Sequence, residues 1–161
     1  MAQIVGISDC KVSRDRGEAL LTHALGSCVA VSMHDSAAQV GGLLHFMLPA
    51  SALDPAKAAL NPCMFADTGI PELLRRVCAL GASPRRLRIC IVGGARVAHG
   101  AGFFEIGRRN AVAARQTLLR LGLAVAADST GGDVSRHVRL EVDTGHLAVQ
   151  ETPPVKPAPG K

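Results

Sequence analysis

Thr22-His23-Ala24-Leu25-Gly26-Ser27-Cys28-Val29-Ala30-Val31, with the answering run Gly41-Gly42-Leu43-Leu44-His45-Phe46-Met47-Leu48-Pro49, decides how this chain folds. Both runs are apolar and bounded by glycine or proline, as strands are. Residues 33–39, Met-His-Asp-Ser-Ala-Ala-Gln, form a short polar segment between them that suits a hairpin turn. Folding the hairpin about Ser36 and Ala37 sets Val29 opposite Leu44, Val31 opposite Gly42 and Met33 opposite Val40, an apolar face. The other face then pairs Ala30 with Leu43, Ser32 with Gly41 and Cys28 with His45. Directly opposed residues hold their Cβ atoms about 4.5–5.5 Å apart, so this register makes a thiol and an imidazole neighbours. A slip of one residue would send His45 to the opposite face.

Working outward, residues 3–8 read as a first strand, and residues 11–18 as a polar link into Ala19-Leu20-Leu21-Thr22. Residues 50–65, with Pro55 and Pro62, read as a loop. Asp67 or Thr68 is placed to cap a helix through Leu80, with Leu73, Leu74, Val77 and Leu80 on one face and Gly81 as the stop. Residues 87–92 read as a short apolar strand ending at Gly93-Gly94. That pair is followed by no Gly-Lys-Ser/Thr and lacks dinucleotide spacing, so it is no phosphate loop. After an irregular stretch over 95–104, a second helix opens at Ile106 and stops at Gly122. Residues 123–127 precede a turn over Asp128-Ser129-Thr130-Gly131-Gly132. Val138, Leu140 and Val142 then alternate with polar neighbours, and Leu147 and Val149 alternate on a return strand.

Strands at both ends with two helices inserted predict an α/β fold of α+β type: a layered sandwich of mostly antiparallel strands with two main helices. One domain spans residues 1–151. Residues 152–161 carry four prolines and no apolar pattern, and read as a disordered tail.

Composition narrows the class. The core must be aliphatic, since Trp and Tyr are absent and only 4 Phe are present. No run reaches the length of a membrane span, and the N-terminus lacks the features of a signal peptide, so a cytoplasmic protein is expected. The 5 cysteines are scattered with no Cys-x-x-Cys, which argues against both a disulfide framework and a zinc ribbon. The net charge of +5 is mainly arginine; it reads as a solvated surface or as steering towards an acidic partner. Nucleic acid is a poor partner without interleaved aromatics.

The chemistry centres on Cys28 and His45. Only a thiolate attacks efficiently, and a nearby imidazolium lowers a thiol from its ordinary pKa of about 8.5. The pair therefore suits covalent catalysis on a carbonyl carbon. Thr22 could accept a hydrogen bond from the ring and orient it. Gly26 removes a side chain beside the nucleophile, and the N–H of Cys28, with that of Ser27, could stabilise an oxyanion. The bland reading is a buried structural cysteine and a satisfied core histidine. His23 reads as exposed, His34 borders the turn, His99 sits in the irregular stretch, and His137 and His146 belong to the last hairpin. No histidine pair has helical i, i+4 metal spacing.

Thr22-x-x-Leu25-Gly26-Ser27-Cys28-Val29-Ala30-Val31 and Gly41-Gly42-Leu43-Leu44-His45-Phe46-Met47-Leu48-Pro49 closely resemble the signature of the chemoreceptor glutamine deamidase family, CheD. The resemblance continues through Ala66-Asp67-Thr68, Gly93-Gly94-Ala95, Ile106-Gly107-Arg108-Arg109-Asn110, Asp128-Ser129-Thr130-Gly131-Gly132 and Thr144-Gly145. It implies a cytoplasmic bacterial hydrolase that converts selected glutamines of methyl-accepting chemotaxis receptors to glutamate. It also implies a sandwich similar to cysteine-histidine deamidase domains, no cofactor or metal, and a monomer when free. In the roles it implies, Cys28 is the nucleophile, His45 the general acid/base and Thr22 the orienting group. A CheC-type phosphatase binds many relatives and is a possible partner. His23-Ala24 departs from the Leu-Gly common in relatives, and 95–104 matches loosely. Two other readings stay open: a non-catalytic adaptor for receptor or CheC-type protein, and a thiol esterase or amidase on another protein substrate.

Overall fold

The computed structural model describes residues 1–96 and 105–153. Strands β1 (Ala2–Ile4), β2 (Asp9–Ser13), β3 (Ala19–Leu25), β4 (Val29–Asp35) and β5 (Val40–Phe46) come first. Helices α1 (Pro55–Leu60) and α2 (Ala66–Ala79) precede β6 (Arg88–Gly93). Helix α3 (Ile106–Arg120) is followed by β7 (Ala127–Thr130), β8 (Ser135–Glu141) and β9 (Leu147–Thr152).

The strands form two sheets, ordered β1-β3-β8-β9 and β2-β5-β4-β6-β7. Among the described residues only the β1–β3 and β6–β7 strand pairs are parallel, so the α+β expectation holds. The β4–β5 hairpin lies inside the five-stranded sheet, and strict alternation gives it two apolar faces. Val29, Val31, Met33, Leu44 and Phe46 look towards Ile70, Leu73 and Val77 of α2 and Leu118 of α3. Ala30 and Leu43 look the other way, into a second core with Leu20, Leu25, Val138 and Leu140 of the four-stranded sheet. The layers are therefore sheet, sheet, helices. Burying each large aliphatic side chain contributes roughly 1.5–3 kcal/mol. Gly42 lets α2 approach closely: a Cβ there would lie 2.7 Å from both Leu73 Cδ1 and Val77 Cγ1.

The hairpin register differs from expectation by two residues. Val29 faces Phe46, Ala30 faces His45, Val31 faces Leu44 and Met33 faces Gly42. The turn is centred one residue later, on Ala37 and Ala38, because Asp35 Oδ1 accepts from the N–H groups of both and Gln39 takes φ 56°. A shift of two preserves every face, so both apolar faces stand as read. His34 is not a turn-edge residue but is buried, with Nε2 2.8 Å from the Val142 carbonyl.

Other boundaries also move. The first strand stops at Ile4, and part of the polar link is β2, a sheet edge. The loop after Pro49 contains α1, capped by Asp54, which accepts from Lys57 N–H. Helix α2 starts before its expected caps, with Phe65 at the N-cap. Asp67 instead accepts from the N–H and hydroxyl of Ser51, and Thr68 donates to the Pro62 carbonyl. Asp128, Ser129 and Thr130 belong to strand β7, not a turn. Strand β9 reaches Thr152; most of the expected tail and His99 lie outside the described residues.

Candidate active site

The site lies between the sheets, where β3 crosses β5. Strand β3 carries a bulge: Thr22 pairs with Val138 and Leu25 with Arg136, three steps against two. Ala24, inside the bulge, takes φ 55°. The extra residue turns both Thr22 and Leu25 inward, and both are fully buried, while His23 is exposed. His45, 2 % exposed, projects from β5 on the face shared with Leu43 and meets Thr22 across the gap.

Thr22 Oγ1 lies 2.7 Å from His45 Nδ1 and 2.8 Å from the Val5 carbonyl oxygen. A carbonyl can only accept, so the single hydroxyl proton goes to Val5. The hydroxyl oxygen must then accept from His45 Nδ1–H. This fixes the imidazole tautomer and leaves the lone pair on Nε2. Nε2 is buried and has no hydrogen-bond partner among the described residues. A buried acceptor left without a partner is costly and calls for an explanation.

Cys28 follows the bend at Gly26 and Ser27 and immediately precedes β4. It is not directly opposite His45 as expected, since Ala30 takes that place. It stands two residues along the same face, a diagonal relationship that spans about 7–8 Å between Cα atoms and remains within reach of longer side chains. Cys28 is half-buried at the margin of the inter-sheet core. Burial pushes its thiol pKa up and brings the His45 imidazole down to about 4. Both shifts favour the uncharged forms of the two side chains.

The Cys28 bend is held from behind by three successive carbonyls. The Gly26 carbonyl accepts from Ala95 N–H at 2.8 Å, Ser27 from Asn110 Nδ2 at 2.9 Å, and Cys28 from Gly94 N–H at 2.9 Å. In a trans peptide the N–H points opposite to the preceding carbonyl. The N–H groups of Ser27 and Cys28 thus point away from these anchors, and neither donates a hydrogen bond among the described residues. Gly93 and Gly94, which resemble no phosphate loop, make this joint possible. They take φ 116° and 62°, and a Cβ on Gly93 would stand 2.3 Å from the Cys28 carbonyl oxygen.

Of the expected site residues, the structure brings Thr22 and His45 into contact and sets Cys28 on their face, with Gly26 and Ser27 in the bend before it. Asn110 and the Val5 carbonyl were not read as site groups; Asn110 was visible only as one residue of a motif. A cleft of about 490 Å³ opens beside the first turns of α3, lined by Arg96, Arg108, Arg115 and Gly132 among others. No group of three or more His, Cys, Asp or Glu able to hold a metal ion occurs among the described residues, and no described helix is long and apolar enough to cross a membrane.

The fold is a two-sheet, helix-backed sandwich that holds an oriented histidine in the gap and sets a cysteine at its margin on the same face. The family model for CheD chemotactic sensory transduction matches residues 47–151. A Solibacter usitatus protein named probable chemoreceptor glutamine deamidase CheD is 47 % identical, over 92 % of this chain and 88 % of its own. Proteins with the same family name from Syntrophus aciditrophicus and Anaeromyxobacter dehalogenans are each 44 % identical, over 92 % and 95 % of this chain and 93 % and 96 % of their own. The chain belongs to the CheD family. Among solved structures, a Neisseria meningitidis protein aligns with a TM-score of 0.42 at 13 % identity, covering 82 % of this chain and 62 % of the other.

Proposed function

We propose that this protein hydrolyses selected glutamine side chains of methyl-accepting chemotaxis receptors to glutamate, through a thioester on Cys28. The observation that carries the reading is the fixed tautomer of His45. Thr22 holds Nδ1–H and the lone pair of Nε2 is left buried and unpartnered on the face that Cys28 shares.

His45 Nε2 takes the Cys28 thiol proton as Sγ attacks the carboxamide carbon, and the carbonyl oxygen becomes an oxyanion. The N–H groups of Cys28 and Ser27 are free to receive it. The intermediate collapses by breaking the C–N bond; His45 Nε2–H gives its proton to the departing nitrogen, which leaves as ammonia. Water then attacks the thioester, with His45 Nε2 taking its proton. Collapse expels the Cys28 thiolate, His45 returns the proton to it, and the product carries glutamate. Thr22 keeps Nδ1–H in place through both halves.

The substrate is a chemoreceptor, as the names of the relatives suggest, and the glutamines acted on lie on its cytoplasmic helices. Arg115 on the cleft beside α3 is already paired with Asp128, and Arg96 and Arg108 on the same cleft suit a helix that acquires glutamates as it is processed. Action in the cytoplasm, a monomeric state when free and a CheC-type phosphatase as competitor for the receptor complete the proposal. The test is parallel assay of ammonia and methanol release from a receptor fragment in its glutamine and methyl-ester forms. Ammonia release from the glutamine form is expected. Methanol release alone would make the protein an esterase, and binding with neither product would make it an adaptor.

A further inference from the structure

Asn110, on the second turn of α3, is fully buried and is not needed by the proton transfers above. Its Nδ2 donates to the Ser27 carbonyl at 2.9 Å and to the Met47 carbonyl at 3.0 Å. Two carbonyl acceptors at these distances fix the amide orientation, since a flipped Oδ1 would face both oxygens without a proton between them. Its Oδ1 is buried with no partner among the described residues.

The two carbonyls are informative. Val29 and Phe46 are the last paired residues at this end of β4 and β5. Ser27 and Met47 lie just beyond, where the ladder no longer joins the two strands. Asn110 replaces the missing ladder bonds and fixes the Cys28 segment against the segment that leaves His45. It also donates to the oxygen of the Ser27–Cys28 peptide. A hydrogen bond received at a peptide oxygen polarises that peptide and strengthens its N–H as a donor. That N–H belongs to Cys28 and points away from Asn110, to the side where an oxyanion would form.

Helix α3 reaches this position because Gly107 meets Gly94 and Ala95 backbone to backbone. A Cβ on Gly107 would fall 2.3 Å from the Ala95 carbonyl oxygen and 2.9 Å from that of Gly94. The close seat of the helix and the double hydrogen bond of Asn110 form one device.

We propose that Asn110 is a positioning residue for the oxyanion hole, acting through the Ser27–Cys28 peptide and tying that peptide to the strand that carries His45. The proposal rests on the deamidase reading and deepens it. It is tested with Asn110→Asp, nearly equal in size but, charged or protonated, unable to donate to both carbonyls, and with Asn110→Ser. Three readouts are compared with wild type: kcat and KM for ammonia release from a receptor fragment, and the rate of Cys28 alkylation by iodoacetamide. Alkylation needs the thiol and its access but builds no oxyanion. The expected result is a fall in kcat of roughly ten- to a hundredfold, the scale of lost supporting hydrogen bonds, with KM and alkylation unchanged.

Unchanged kcat overturns the proposal, and so does a parallel loss of kcat and alkylation, which would make Asn110 merely structural. Wild-type NMR gives a reading independent of any variant's folding: through-hydrogen-bond couplings from Asn110 Nδ2 to the Ser27 and Met47 carbonyl carbons are expected, and absence of both overturns the geometry. A wild-type protein that releases no ammonia would fail the deamidase reading itself, while ammonia release indifferent to Asn110→Asp fails only this one.

Discussion

Thr22 and His45 sit on strands of different sheets, and their side chains meet 2.7 Å apart in a gap that excludes solvent from both. The contact does more than join the sheets. Because the Thr22 proton is committed to the Val5 carbonyl, the imidazole can present only a bare Nε2 to the side of Cys28. Orientation and tautomer of the imidazole both pass through this one hydroxyl.

Replacing Thr22 with Val keeps the volume and removes the hydroxyl. His45 Nδ1–H and the Val5 carbonyl would each lose a buried partner, a destabilisation of about 1–3 kcal/mol. The imidazole would also be free to place its proton on Nε2, the wrong nitrogen for a base. Ammonia release is expected to fall by roughly ten- to a hundredfold, with recovery of most activity in Thr22→Ser. Steady-state kinetics of both variants, with thermal melts, check this. Full activity in Thr22→Val would remove Thr22 from the mechanism.

The pH profile should be that of a neutral pair. Burial lowers His45 from 6.5 to about 4, so the base is ready well below neutral pH, and burial raises the Cys28 thiol. The acid limb of kcat/KM is expected at about 4 rather than near 6.5, and Cys28 alkylation should rise only above the ordinary thiol range. Stability carries the matching sign. Between pH 6.5 and 4 the unfolded chain binds a proton at this histidine that the folded chain refuses, so stability falls as pH drops through that window. His45→Phe should lose that part of the pH dependence. A Cys28 that alkylates at half its maximal rate below neutral pH would point instead to a preformed ion pair.

Ala24 is the price of the bulge. It holds a left-handed φ of 55° with a Cβ that disfavours it, at a cost of about 1–2 kcal/mol. Ala24→Gly should relieve most of this and raise the melting temperature by roughly 2–4 °C per kcal/mol for a chain of this size. Deamidase activity should not change, since the Ala24 side chain touches none of the reacting groups. A lowered melting temperature would show that the bulge does not carry this strain.

The hairpin and its two faces were legible because alternation of apolar residues survives any even shift of register. Its pairing was not legible to the residue. Asp35 captures the N–H groups of Ala37 and Ala38, which moves the turn by one residue and the pairing by two. That is why Cys28 and His45 share a face but not a rung. Strands β2 and β7 escaped the reading for a common reason. Both are edges of the larger sheet, and sequences such as Asp-Cys-Lys-Val-Ser and Ala-Asp-Ser-Thr carry the polar residues that edges tolerate. The bulge between Thr22 and Leu25 leaves no periodic signature, and Asn110 lies more than sixty residues from both carbonyls it holds. Chemistry-bearing types were visible in the chain; the contacts that orient them come from distant segments.

The central claim is that Cys28 and His45 convert receptor glutamine to glutamate. Peptide mass spectrometry of a chemoreceptor cytoplasmic fragment, incubated with wild type, Cys28→Ala or His45→Ala protein, tests it most directly. Conversion at defined glutamines with wild type, and none with either variant, is the predicted result. Conversion that survives in Cys28→Ala would contradict the mechanism.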